Sequence, residues 1–159
     1  GVIGMDAFGN RPTYIDQGRM MRAIVAIGRQ EFCYTFGKKN YLNEIARART
    51  FGFLRDVQML RSRGLALGGS LDNAVVLDDK KILNPEGLRF ANEFVRHKIL
   101  DAIGDLALLG APMIGDYESF AGSHHLNHLL TKEILKDPSN YEIKQVVPEI
   151  ALELEKVFA

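Results

Sequence analysis

The run Phe94–Leu109 constrains this chain more than any other stretch, because it sets ionisable side chains into an otherwise apolar helical pattern. Val95, Ile99, Ala102, Ile103 and Leu106 recur at helical spacing and predict a buried helix ending near Gly110-Ala111-Pro112. His97 and Asp101 stand four residues apart, so they share one face. Asp105 adds a further step of four, turned about 40° around the axis. An imidazole and two carboxylates on such a face must be paired or hold a cation to be buried. A His and a carboxylate at this spacing can give two ligands of a zinc site. A hydrogen-bonded His–Asp pair, or a partly exposed polar stripe, fits the same residues.

Few function classes are excluded by composition. The 20 basic and 20 acidic residues balance, so no global field favours nucleic acid or an anionic membrane. The lone Cys33 rules out an internal disulfide framework and suits a reducing compartment. No apolar run reaches the roughly 20 residues of a membrane span, and the expected location is cytoplasmic, without stable membrane insertion.

Along the chain, residues 1–20 read as loop, and Met21–Ile27 as one short strand ending at Gly28. Phe32, Tyr34 and Phe36 alternate as in a strand. Residues 37–40 make a turn, with Asn40 capping a helix that carries Leu42, Ile45 and Ala46 inward and runs to about Thr50. A second helix spans Leu54 to Gly64. Strand, turn and strand follow at Leu65–Leu67, Gly68–Ser70 and Ala74–Leu77, then a polar turn at 78–81. Leu54, Val57, Leu65, Leu67, Leu71, Val75 and Leu77 suffice for a satellite core, or for a groove taking a fatty chain. A strand lies within Met113–Phe120, and a last helix opens at Ser123–His128 with Leu129, Leu130, Ile134 and Leu135 apolar. Residues Glu149–Phe158 suggest a terminal helix. The order is α+β: a sheet packed with helices.

All four histidines fall on the two helices, His97 on one and His124, His125 and His128 on the other. His124 held by Asp105 would suit a general acid that protonates an amine leaving group. His125 and His128 read equally as a solvated helix start. Arg47, Arg49, Arg55, Arg61 and Arg63 form a basic cluster that is either a solvated face or a phosphate contact surface. Gly68-Gly69-Ser70 lacks the Gly-Lys-Ser/Thr of a phosphate loop and reads as a turn.

Taken together, Ala48-Arg49-Thr50-Phe51-Gly52-Phe53, Leu67-Gly68-Gly69-Ser70, Asn84-Pro85-Glu86-Gly87-Leu88-Arg89, Phe94 to Asp105 and His124-His125-Leu126-Asn127 closely resemble the carboxy-terminal half of the UDP-3-O-acyl-N-acetylglucosamine deacetylases, zinc amidases of lipid A biosynthesis. The resemblance runs from about Ile27 to the carboxyl end. It implies a second domain over 27–159, with residues 1–26 an unmatched lead-in. It also implies hydrolysis of the acetamide of UDP-3-O-(3-hydroxyacyl)-N-acetylglucosamine, with Zn2+ as cofactor and release of acetate. His97 and Asp101 match zinc ligands, and Thr50 matches the hydroxyl that steadies the oxyanion. Phe51 and Lys98 match substrate contacts. His124 matches the acid, and Asp105 its partner. An inserted strand-helix-strand unit at about 52–78 is implied to receive the acyl chain, lined by Leu54, Val57, Ala66, Ser70, Leu71 and Val76.

The family's third zinc ligand and general-base glutamate lie in a His-containing motif of its first domain. No histidine precedes His97 in this sequence. Two ligands underhold zinc, so the chain is expected to need that missing amino-terminal domain as partner, and alone to bind zinc weakly and turn over little. A non-catalytic module that keeps the acyl and nucleotide grooves is the alternative. An RNA-contacting surface is weaker still, since no nucleic-acid motif is present.

Overall fold

The computed structural model describes Val2–Asp6 and residues 28–144. The strand expected at Met21–Ile27 and the helix at Glu149–Phe158 lie outside the described residues. Three strands, β1 (Val2–Asp6), β2 (Glu31–Thr35) and β5 (Tyr117–Phe120), form one sheet in the order β2-β1-β5. β1 runs antiparallel to β2, from Val2↔Thr35 to Asp6↔Glu31, and parallel to β5, from Ile3↔Tyr117 to Asp6↔Phe120. The expected loop over residues 2–6 is therefore the central strand of the sheet. Its sequence carries little strand signal of its own, and ladders on both sides override that weakness.

β2 follows the alternation predicted for it, with Tyr34 buried and Cys33 exposed. The next segment differs from expectation. A short helix α1 (Lys38–Asn40) widens into a π-helical turn at Tyr41–Ile45. Asn40 lies inside this helical segment and caps nothing; its amide donates to the Thr35 carbonyl, 3.4 Å away. Ile45 is buried as expected, while Leu42 and Ala46 are exposed. The helical turn stops short of Thr50 because the Ala48 N–H closes onto the Ile45 carbonyl and Arg49 is captured elsewhere.

That release leaves Thr50–Phe53 free to form β3, which pairs in parallel with β4 (Ala74–Leu77) across the helix α2 (Leu54–Ser62). Parallel pairing requires such a crossover. Leu65–Leu67 is an exposed turn rather than the expected strand, with Ala66 in the left-handed region at φ 54°. The expected satellite core does not form. Val75 and Leu77 are fully buried in the main core, while Leu54, Leu65, Leu67 and Leu71 face solvent.

The predicted central helix is α3 (Glu93–Leu106), continued by a 3-10 turn at Ala107–Leu109. Val95, Ile99 and Ala102 are fully buried between the two sheets' core residues, and Gly110 ends the helix at φ 80°. The last helix, α4 (His124–Lys136), is capped by Ser123, whose hydroxyl accepts from the Leu126 N–H. Of its apolar residues, Leu129, Leu130 and Leu135 are exposed. Its buried side chains are Asn127 and Thr131.

A buried ion pair ties these elements together. Arg49, just before β3, donates from Nε and Nη2 to Glu93 at the start of α3, with side chains only 2% and 0% exposed. Its Nη1 reaches Glu86 at 2.5 Å, and Nη2 donates also to the Gly87 carbonyl at 2.8 Å. Arg49 therefore leaves the expected basic surface cluster. Arg61 is tied to the Gly69 carbonyl, and Arg47, Arg55 and Arg63 stay exposed.

Candidate functional site

α3 positions the site. One helical face presents His97, Asp101 and Asp105, and Val95, Ile99, Ala102 and Leu106 bury the opposite side. Nδ1 of His97 lies 3.1 Å from the Ala48 carbonyl, and Nε2 lies 3.2 Å from Oδ1 of Asp101. A carbonyl can only accept, so Nδ1 carries a proton and donates. Nε2 is then left facing a carboxylate oxygen, and a neutral ring would set two lone pairs against each other. A proton or a metal ion between the two atoms resolves that conflict.

The second oxygen of Asp101 accepts from Lys98 Nζ at 2.6 Å and lies 3.8 Å from Nε2 of His124. Burial opposes ionisation of Asp101. Hydrogen bonds from His97 and Lys98 outweigh it and hold the carboxyl down at about 2. Asp101 is therefore an anion at any ordinary pH.

His124 reaches this face from α4. Its Nδ1 lies 2.8 Å from Oδ2 and 3.0 Å from Oδ1 of Asp105, which leaves Nε2 pointing toward Asp101. Its ring is largely exposed, with the side chain 68% accessible, so a substrate can approach it. Behind Asp105, the Asn127 amide donates to Oδ2 at 2.8 Å, and the Tyr117 hydroxyl donates to Asn127 Oδ1 at 2.6 Å.

The structure thus brings His97, Lys98, Asp101, Asp105 and His124 into one constellation. The Phe51 ring stands edge-on to Phe94 and to His97, with centroids 4.9 and 6.1 Å away. Thr50 opens β3, exposed, two residues beyond the carbonyl that orients His97. Around α2, Leu54, Ala66, Ser70 and Leu71 are exposed and Val57 is half-buried. Val76 is buried, its N–H taken by Asn84. His125 and His128 are exposed and stand outside the constellation.

Sequence reasoning missed the Ala48 carbonyl, Tyr117 and the part played by Asn127. The carbonyl leaves no trace in side-chain spacing. Asn127 did leave one: a buried-side polar residue three positions after His124 on a leucine-rich helix.

Two comparisons bear on this geometry. The family model described as LpxC: UDP-3-O-acyl N-acetylglycosamine deacetylase matches residues 15–136. Curated proteins named UDP-3-O-acyl-N-acetylglucosamine deacetylase are similar to this chain. The one from Campylobacter fetus subsp. fetus is 68% identical over 84% of this chain and 45% of its own length. That from Sulfurimonas denitrificans is 67% identical over the same shares. That from Nitratiruptor sp. is 74% identical over 74% of this chain and 39% of its own length. The match spans about half the length of these curated relatives.

Proposed function

Because the chain belongs to the UDP-3-O-acyl N-acetylglycosamine deacetylase family, we propose that it carries the proton-donating side, and two metal ligands, of a zinc-dependent hydrolase acting on the acetamide of UDP-3-O-(3-hydroxyacyl)-N-acetylglucosamine. The observation that supports this most is the convergence of His124 from α4 on the His97–Asp101 pair of α3. One imidazole nitrogen and one carboxylate oxygen at 3.2 Å are donors of the kind zinc takes. Among the described residues no group of three or more His, Cys, Asp or Glu side chains is placed to hold a metal ion. His97 and Asp101 fit as two ligands of such a site, and the resemblance places the third in the family's first domain. When bound, zinc supplies Lewis acidity and a water acidified toward neutrality.

This chain's own groups do the rest. The Ala48 carbonyl fixes the His97 ring, and Lys98 helps keep Asp101 ionised. The Thr50 hydroxyl donates to the oxyanion as the acetamide carbonyl is attacked. Asp105 holds Nδ1 of His124, so that the protonated ring delivers its Nε2 proton to the departing amine nitrogen and acetate leaves. Phe51 covers one side of the pair, and Lys98 can exchange its hold on Asp101 for a substrate anion. The acyl chain lies along Leu54, Val57, Ala66, Ser70, Leu71 and Val76. Lipid A precursor synthesis is the setting the relatives' names support, and a cytoplasmic location fits it. Among the described residues, no helix is long and apolar enough to cross a membrane.

The reading is tested by zinc content. The chain alone, and the chain mixed with the remaining portion of the Campylobacter fetus relative, are dialysed against buffered zinc. One equivalent of tight zinc in the mixture and weak binding by the chain alone are expected. Stoichiometric tight zinc retained by the His97→Ala chain in the mixture would overturn it.

A further inference from the structure

α4 is docked in an unusual way for a helix rich in leucine. Leu126, Leu129, Leu130 and Leu135 are exposed, and the side chains it buries are Asn127 and Thr131. Burying an amide is unfavourable unless every polar atom is satisfied. Asn127, 3% exposed, meets that condition by joining two other elements. The Asp105 carboxylate can only accept, so it takes the Asn127 Nδ2 hydrogens, which turns Oδ1 the other way. There it accepts the hydroxyl proton of Tyr117, itself 6% exposed on β5. The backbone carbonyl of Asn127 is capped in turn by the Thr131 hydroxyl at 2.9 Å.

We propose that Asn127 is a positioning residue. It passes the Tyr117 hydrogen bond to Oδ2 of Asp105, and so holds Asp105 against Nδ1 of His124 and keeps Nε2 of that ring free to face the reacting group. The polarity of the relay is fixed at every link. The carboxylate selects the amide orientation, and the amide selects the phenol as donor. A network with no alternative orientation specifies one ring placement. Burial also raises the Tyr117 pKa, which keeps the hydroxyl a donor. The functional weight of the relay rests on the deacetylase reading above, but its geometry does not.

The test is therefore spectroscopic and independent of turnover. Two-dimensional 15N–1H spectra of the histidine rings, recorded on the zinc-free chain at a pH where His124 is neutral, report which nitrogen holds the proton. The His124 signals are assigned by their loss in His124→Ala. The wild-type ring is expected as the Nδ1–H tautomer. Asn127→Ala and Tyr117→Phe are expected to shift the tautomer ratio toward Nε2–H by about tenfold, because Asp105, released from the relay, turns away and the Nδ1–H loses its acceptor. Asn127→Ala added to Asp105→Ala should produce no further shift, since the relay acts through that carboxylate. If Asn127→Ala does not fold, Tyr117→Phe, which removes one oxygen, decides alone. An unchanged His124 tautomer in Tyr117→Phe overturns the proposal. With the relay intact, absence of zinc-dependent deacetylation by the chain combined with the remaining portion of the Campylobacter fetus relative would count against the catalytic reading instead.

Discussion

At the scale of single residues, the site depends on what each polar atom can donate or accept. His97 owes its orientation to one backbone carbonyl, and His124 owes its own to Asp105. These two rings face the same carboxylate, Asp101, from different helices. His124→Ala should lower kcat of the reconstituted protein by about 10²–10⁴ while largely sparing KM, because a general acid acts in the transition state rather than in binding. Steady-state acetate release measures both. Asp105→Asn should reduce kcat in the same direction, since an amide no longer offers the charge that stabilises an imidazolium. A change confined to KM in either variant would place His124 in substrate binding instead.

The elements hold the site through a buried ion pair as much as through apolar packing. Glu93 accepts from the Arg49 side chain, from the Arg49 N–H at 2.9 Å and from the Arg89 N–H at 2.6 Å. Burial opposes ionisation of Glu93, but these donors outweigh it and hold the carboxyl below the usual glutamate range. A depressed folded-state pKa contributes stability that is complete above the unfolded value. That contribution is lost as pH falls through the folded value. Urea midpoints measured from pH 6 down to pH 3 should therefore fall, and Glu93→Ala should remove much of that slope. The same variant strands the Arg49 guanidinium in the core and should cost about 3–5 kcal/mol at neutral pH. At the end of α3, Gly110 sits at φ 80°, where a Cβ is strained. Gly110→Ala should cost about 1–2 kcal/mol in the same urea measurement.

These elements were unequally legible in the sequence. α3 declared itself because its apolar residues keep one period for several turns, and its polar face came with it. β2 did so by alternation. Ala46 to Arg49 suit a helix locally, so the sequence pattern carries the helix after β2 on to Thr50. Only the distant Glu93 draws Arg49 away and releases β3. β1 was hidden for the opposite reason: its strand state comes from neighbours on both sides, not from Val2–Asp6 itself. In α4 the leucines are legible as apolar but do not mark the docked side: the helix docks through Asn127, whose partners lie on other elements.

On the scale of the whole molecule, the two sheets and two long helices of the described residues bring the His124 imidazole and two metal-ligand candidates to one face. The protein's relatives are about twice as long as the stretch they share with it. His97 and Asp101, with His124, are proposed to form this chain's share of a deacetylase centre. Acetate release from UDP-3-O-(3-hydroxyacyl)-N-acetylglucosamine tests it most directly, using the chain combined with the remaining portion of the Campylobacter fetus relative. Zinc-dependent release is expected with the wild-type chain, and at least a hundredfold loss with His97→Ala, Asp101→Ala or His124→Ala, each folded by circular dichroism. Undiminished release by the folded His97→Ala and Asp101→Ala chains would contradict it.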